Sequence, residues 1–335
     1  MAVLLAADLG GTHARLRLSR VENAAQETLA EHVYSAAEYP TFYAVLAEFC
    51  QPDVAIDLAS LAVAGPVTEQ QVQLTNLPWH IDAAQLKARF PIARALLIND
   101  FAALAYAIDS MHDSAHVRLQ AGVPKKDAVA AVIGAGTGLG HGFWRGSGKD
   151  INVFSTEAAH AGFAPRGPVQ LELWQFLTER FGRAMYEHIL SGPGLVNLFD
   201  FFAQRTAGTV TPELSVAMRN GEPAAAISTF ALSERDPVAQ HALELFVDIY
   251  AARAADFALT VLAHRGVYIA GGIAAKILPA LQRPQFLATF NDNPAYRGLL
   301  EAMPVLVVTD PLAGLYGAQA AGIKMLRDSG ITATA

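Results

Sequence analysis

At 335 residues, with 53% hydrophobic and 16% charged residues, the chain is long enough for two α/β domains and too apolar to be disordered or fibrous. A net charge of −7 gives no electrostatic footprint for nucleic acid, and a single cysteine, Cys50, excludes both an internal disulfide and a cysteine-built zinc site. No apolar stretch reaches membrane-spanning length, and the first residues carry neither a basic region nor a small-residue cleavage site, so the expected location is the cytoplasm, away from the membrane.

Residues 3–7 read as a buried strand that delivers a glycine-rich turn, Asp8-Leu9-Gly10-Gly11-Thr12. Residues 13–19 then alternate polar and apolar, as a half-buried strand does. A strand-turn-strand hairpin is therefore expected, and the absence of a following helix separates this turn from both the dinucleotide fingerprint and the P-loop. Glycine tolerates positive φ and lets successive N–H groups converge on phosphate oxygens. A carboxylate beside such a turn repels phosphate unless a cation intervenes, which makes Asp8 a candidate Mg²⁺ partner, directly or through water. Thr12 adds a hydroxyl.

Further along, residues 59–64 form a predicted strand ending at Gly65-Pro66, Asp82 is placed to cap a helix through Phe90, and residues 95–98 form another strand. Asn99-Asp100 falls where that strand gives way to a helix over 101–108, the place where open α/β sheets present functional groups. Asp100 can accept a hydroxyl proton and Asn99 offers a donor and an acceptor; both residues equally suit helix capping. Residues 129–133 form a strand leading into a second glycine-rich turn, Gly134-Ala-Gly136-Thr137-Gly138-Leu-Gly140, followed by a strand-like run to Trp144. The two hairpins read as duplicated halves.

After a strand-like stretch at 151–154, Glu157 and His160 are spaced to face one polyol, or to lie on a surface loop. No third ligand stands nearby at metal spacing. Helices are predicted over 171–181 and 184–190, with Glu187 on the second, and Ser191-Gly-Pro-Gly194 reads as a stop before a helix over 195–204. A long apolar helix over 237–262, a strand over 267–270 entering Gly271-Gly272, a strand over 305–308 and a closing helix over 313–326 complete the chain. The pair Gly271-Gly272 lets backbone pass close to a flat or phosphorylated ligand, or lets a helix pack on the sheet.

In order, Asp8 to Thr12, Leu61-Ala-Val-Ala-Gly-Pro66, Thr75-Asn76 with Trp79, Ile98-Asn-Asp-Phe101, Gly134 to Gly140, Glu157 to His160 with Phe163-Ala-Pro165, Leu190 to Asn197, and Ile269-Ala-Gly-Gly-Ile273 resemble the bacterial ATP-dependent glucokinases over nearly the entire chain. The resemblance implies an α/β actin/hexokinase-like (ribonuclease H-like) ATPase fold of two lobes closing over a central cleft. Residues 1–109 and about 314–335 would form the small domain and residues 110–313 the large one. It also implies ATP with Mg²⁺, phosphorylation of an aldohexose, usually D-glucose at its 6-hydroxyl, and a homodimer. By position, Asn99, Asp100, Glu157, His160 and Glu187 match the sugar-binding motifs, with Asp100 as catalytic base. Ala7, Asp8, Leu9, Gly10, Gly11 and Thr12 match the first phosphate loop, Gly136, Thr137 and Gly138 the second, and Gly271 and Gly272 the turn on the adenosine side.

Two departures bear on sugar choice. Glu157-Ala158-Ala159-His160 stands where Glu-Gly-Gly-His is usual, and alanine at a positive φ would carry strain of about 1–2 kcal/mol each. His13 stands where Asn is usual. A kinase for another hexose would keep the same loops. A non-catalytic sugar sensor would not need both loops and Asp100, and a nicotinamide dehydrogenase would need the strand-turn-helix fingerprint that is missing here.

Overall fold

The computed structural model describes residues 1–330 apart from 23–24, 51–53, 75–76, 112–114 and 206–209, so the Thr75-Asn76 part of the motif series lies outside the described residues. The chain divides into two compact units, Met1–His112 with Gly146–Ser155 and Pro311–Ala335, and Asp113–Arg145 with Thr156–Asp310.

In the first unit, β1 (Ala2–Leu9), β2 (His13–Glu22) and β3 (Ala25–Ser35) form an antiparallel meander. Helix α1 (Phe42–Phe49) leads to β4 (Leu58–Val63); a small hairpin of β5 (Gln71–Gln73) and β6 (His80–Asp82) precedes α2 (Ala83–Arg89), and β7 (Ala95–Asn99) runs directly into α3 (Asp100–Ser110). Asp82 caps α2, as expected, by accepting the Ala84 N–H at 2.7 Å. The sheet order is β3-β2-β1-β4-β7, with β1, β4 and β7 parallel.

Alternation along β1 sorts its side chains between two cores. Leu5, Ala7 and Leu9 pack with Phe42, Leu46, Trp79 and Leu86, whereas Ala6 faces Ala62, Ala103, Leu315 and Ala318. On that second face small residues let the closing helix (Ala313–Asp328) approach closely: a Cβ on Gly317 would overlap the Ala103 carbonyl. The buried Ser60 hydroxyl donates to the Ala318 carbonyl at 2.6 Å, locking helix to sheet. Asp8 follows Ala6 on the same face, and so it ends beside that helix.

The second unit contains β8 (His116–Gln120), β9 (Ala130–Ala135) and β10 (Leu139–Arg145); β11 (Asn152–Thr156) follows. Then come α4 (Gly167–Phe181), α5 (Gly192–Arg205), α6 (Pro212–Asn220), α7 (Pro223–Leu232), the long α8 (Pro237–Val261), β12 (Gly266–Ala270), α9 (Gly271–Lys276) and β13 (Val305–Val308). Neighbouring strands run β10-β9-β12-β13-β8, with β9 and β10 antiparallel and β9, β12 and β13 parallel. The order β2-β1-β4-β7 of the first unit is thus repeated. Helix α8 is apolar at helical spacing because it is buried along most of its length, with Phe246, Tyr250 and Phe257 in the core.

Two local expectations are corrected. Residues 184–190 do not form a helix; only a single 3₁₀ turn, Tyr186–His188, is present. Nor is Ser191-Gly-Pro-Gly194 a stop, since α5 begins at Gly192. The reason is Ser191, whose hydroxyl donates to the Glu187 carbonyl at 2.7 Å and accepts the Gly194 N–H at 3.0 Å, closing one turn and opening the next. Pro193 then sits in the first helical turn, where a missing N–H costs nothing.

Candidate active site

Within the first unit, the β1–β2 turn is tight: the Gly10 N–H donates to the His13 carbonyl at 3.1 Å, leaving the amides of Gly11 and Thr12 outside the turn's own hydrogen bond. The glycines here do not take positive φ, and neither do those of Gly136 to Gly138. The expectation that these loops exploit left-handed backbone is therefore corrected; what glycine supplies is the lack of a side chain. Ala7 and Leu9 are buried in the core, so only their backbone can meet a ligand.

Asp8 lies opposite Arg15 in the hairpin register, with Nη1 of Arg15 3.3 Å from its Oδ2. Burial raises the Asp8 pKa, and the Arg15 guanidinium opposes that rise. Gly314 of the closing helix makes room for this carboxylate, since a Cβ there would lie 2.6 Å from Asp8 Cγ. A desolvated carboxylate with one partial counter-charge fits a cation that needs few protein ligands. Among the described residues no cluster of three or more His, Cys, Asp or Glu could hold a metal ion. That donor set suits Mg²⁺, which keeps waters and substrate phosphate oxygens, and not a fully caged metal.

Asn99 caps α3: its Oδ1 accepts from the Phe101 and Ala102 N–H groups at 2.9 and 3.3 Å, and its Nδ2 donates to the Gly65 carbonyl at 3.4 Å. The capping role is real, which leaves Asn99 as a donor rather than an acceptor toward a ligand. Asp100 is the first residue of α3, with Oδ1 3.0 Å from the Phe101 N–H, where the helix dipole favours an anion. A residue that sequence reasoning missed supports this junction. The Gln70 side chain accepts the Leu97 N–H at 2.8 Å and reaches the Leu97 carbonyl at 3.5 Å, pairing the edge of β7 two residues before Asn99.

In the second unit the β9–β10 turn is closed by Gly136 N–H donating to the Gly138 carbonyl at 2.8 Å, and the Gly192 N–H of α5 donates to the Gly136 carbonyl at 2.8 Å. Glu187, His160 and Glu157 come together beside it. His160 Nε2 is 3.8 Å from Glu157 Oε2 and its Nδ1 is 4.0 Å from Glu187 Oε1. The other oxygen of Glu187 accepts the Leu139 N–H at 2.9 Å. This bond exists because residue 138 is glycine: a Cβ there would lie 2.7 Å from Glu187 Oε2. The polar cluster is thereby attached to the glycine-rich turn itself.

The segment Ala158–His160 is a 3₁₀ turn with no positive φ, so the two alanines carry no backbone strain; Ala159 is buried in the core. Gly271 has φ 87°, and a Cβ on it would overlap the Ala135 carbonyl of β9, while around Gly272 a Cβ would meet nothing within 4 Å. Gly271 is thus required by the packing of α9 on β9, and Gly272 offers the open approach.

The sequence profile of the glucokinase family matches residues 5–325. The glucokinase of Nostoc punctiforme is 36% identical over 334 residues, spanning 95% of this chain and 98% of that one. The chain belongs to the glucokinase family. Among solved structures, glucokinase from an Antarctic psychrotroph matches with a TM-score of 0.79 at 29% identity, covering 96% of this chain and 99% of its own. A ROK family glucokinase from Streptomyces griseus, solved with glucose and AMPPNP, shares the fold at a TM-score of 0.64 and 19% identity, covering 96% and 99% of the two chains. The fold is accordingly the actin/hexokinase-like α/β fold, and this glucokinase-family chain is an enzyme of sugar phosphorylation. No helix among its described residues is long and apolar enough to cross a membrane.

Proposed function

We propose that the enzyme transfers the γ-phosphoryl group of ATP to the 6-hydroxyl of D-glucose. The observation that carries this reading is Glu187, which touches the Leu139 amide of the glycine-rich turn with one oxygen and faces His160 with the other. An acceptor group for sugar hydroxyls is thus built onto a phosphate-sized turn. The bound glucose and AMPPNP of the Streptomyces griseus protein, which has the same fold, are in keeping with the pair of substrates proposed.

In the proposed mechanism Asp100 takes the proton of the attacking 6-hydroxyl as the phosphoryl group is transferred in line. The carboxylate oxygens of Glu157 and Glu187, the imidazole of His160 and the Asn99 amide hold the other hydroxyls and orient the sugar. The first glycine turn, Gly10 to Thr12, presents the Gly11 and Thr12 amides to the phosphates and the second, Gly136 to Gly138, those of Thr137 and Gly138, while Gly10 and Gly136 supply room and Gly271-Gly272 borders the adenosine. Asp8 would hold Mg²⁺, directly or through water, and the ion would neutralise phosphate charge when bound. Residues 1–109 with 314–335 act as the small domain and residues 110–313 as the large one. The enzyme works as a homodimer in the cytoplasm.

A coupled assay with ATP, a magnesium salt and a hexose panel tests the substrate. The highest kcat/KM is expected for D-glucose. Preference for fructose, mannose or an N-acetylhexosamine would redirect the specificity, and binding without turnover of any hexose would replace the enzyme by a sensor.

A further inference from the structure

Resting on the sugar-site reading above, we propose that Arg253, in the middle of α8, is a positioning residue that sets the spacing of the sugar-binding groups Glu157, His160 and Glu187. The guanidinium touches three segments of the second unit at once. Its Nη2 donates to the Ala158 carbonyl at 3.0 Å, its Nε donates to His141 Nε2 at 3.2 Å, and its Cζ lies 4.6 Å from the centre of the Tyr186 ring. Ala158 follows Glu157 in the turn that ends at His160, and Tyr186 precedes Glu187. One cation therefore braces both turns on which the three groups stand.

The bracing has a direction. The Ala158 carbonyl also accepts the Ala161 N–H at 3.2 Å, so both of its lone pairs are engaged and the turn cannot rotate without losing a charged hydrogen bond. With the peptide held this way, the side chains of Glu157 and His160 stand outward, 65% and 50% exposed, where a polyol can reach them. Backbone pairing joins the same two stretches: the Tyr186 N–H donates to the Ala161 carbonyl at 3.3 Å and the Phe163 N–H to the Ala184 carbonyl at 3.0 Å.

The opposite end of the brace is equally specific. His141 on β10 is fully buried, and Nε2 can accept from Arg253 only as a neutral imidazole. Burial chiefly, and the Arg253 charge secondarily, keep it neutral by lowering its pKa to about 3. The ring packs edge-on against Phe257 of the same helix, 4.9 Å between centres. Because β10 begins at Leu139, whose amide holds Glu187, the Arg253–His141 contact also ties the sugar-binding turns to the strand leaving the second phosphate loop. Lysine would replace only part of this, since it cannot make the two divergent bonds and stack on Tyr186 together.

The test is kinetic, on the full-length enzyme, with Arg253→Met to keep the stem packing and Arg253→Lys to keep the charge. The sugar KM of Arg253→Met is expected to rise about ten- to hundredfold, the scale of one charge-assisted hydrogen bond, with the ATP KM within about twofold of the parent. Arg253→Lys should recover part of the sugar affinity, giving an intermediate KM. A folded Arg253→Met enzyme with an unchanged sugar KM overturns the proposal, and so does a parallel rise of both KM values, which marks a general structural role. If Arg253→Met does not fold, Arg253→Lys decides alone: a raised sugar KM at constant ATP KM supports the brace, and parent-like sugar KM refutes it. A parent enzyme inactive on every hexose would instead refute the sugar-site reading itself, independently of Arg253.

Discussion

The two units repeat one backbone plan, a glycine hairpin followed by parallel strands, yet they position charged groups in different ways. In the first unit Asp8 stands on β1 and Asp100 on the first turn of α3, so regular secondary structure aims both carboxylates. In the second, Glu157, His160 and Glu187 stand in or beside single 3₁₀ turns, fixed by the Leu139 amide, the Ser191 hydroxyl and the Arg253 guanidinium. The contrast teaches that a group on a strand or helix end is aimed by its own element, whereas a group on a lone turn is aimed by the bonds that other segments make to that turn.

The largest expected effect tests the first arrangement. Asp100→Ala should lower kcat by about 10³-fold, within the range of a lost general base, while calorimetry finds AMPPNP binding unchanged. An active Asp100→Ala enzyme would remove that residue from the chemistry. On the second arrangement, Glu187→Gln should raise the sugar KM about tenfold and leave the ATP KM nearly constant, since a sugar hydroxyl then donates to a neutral amide oxygen in place of a carboxylate. If the ATP KM moves more, Glu187 belongs with the nucleotide and the contrast between the units weakens.

Packing around Asp8 gives a smaller effect. Gly314→Ala forces a methyl against that carboxylate and should cost about 1–3 kcal/mol, read as a lower midpoint in denaturant; an unchanged midpoint would show that the closing helix can shift freely.

The remaining effect vanishes at neutral pH and concerns the second unit. His141 has a folded pKa lowered to about 3 from 6.5, so the unfolded chain binds its proton first as the solution is acidified. Its contribution to stability is therefore full above pH 6.5 and is lost as the pH falls from there toward 3, by up to about 1.4 kcal/mol per pH unit. Denaturant titrations of His141→Gln across that window should show a shallower slope than the parent, and identical slopes would mean the imidazole is accessible to protons in the fold.

Much of the first unit was legible in the sequence because its determinants are local. The alternation after Thr12 announces the hairpin, Asp82 announces α2, and Asn99-Asp100 sits at a strand-to-helix junction that the structure reproduces. The family resemblance ordered the motifs of both units and implied the fold that the comparisons bear out. What escaped was set by distant partners. No spacing rule connects Arg253 with Ala158 or His141, 95 and 112 residues away, whereas Ser191 is a local case, a helix-start serine beside two glycines and a proline that read equally well as a stop. At Ala158 and Ala159 the condition for strain, a positive φ, is not met, because that turn is wound as a 3₁₀ helix.

The most direct measurement is the structure of the product. Purified enzyme incubated with D-glucose, ATP and a magnesium salt should yield glucose 6-phosphate and ADP in equal amounts, identified by phosphorus and carbon NMR. Phosphate on any other hydroxyl, or ADP released with no sugar phosphate, would contradict the account.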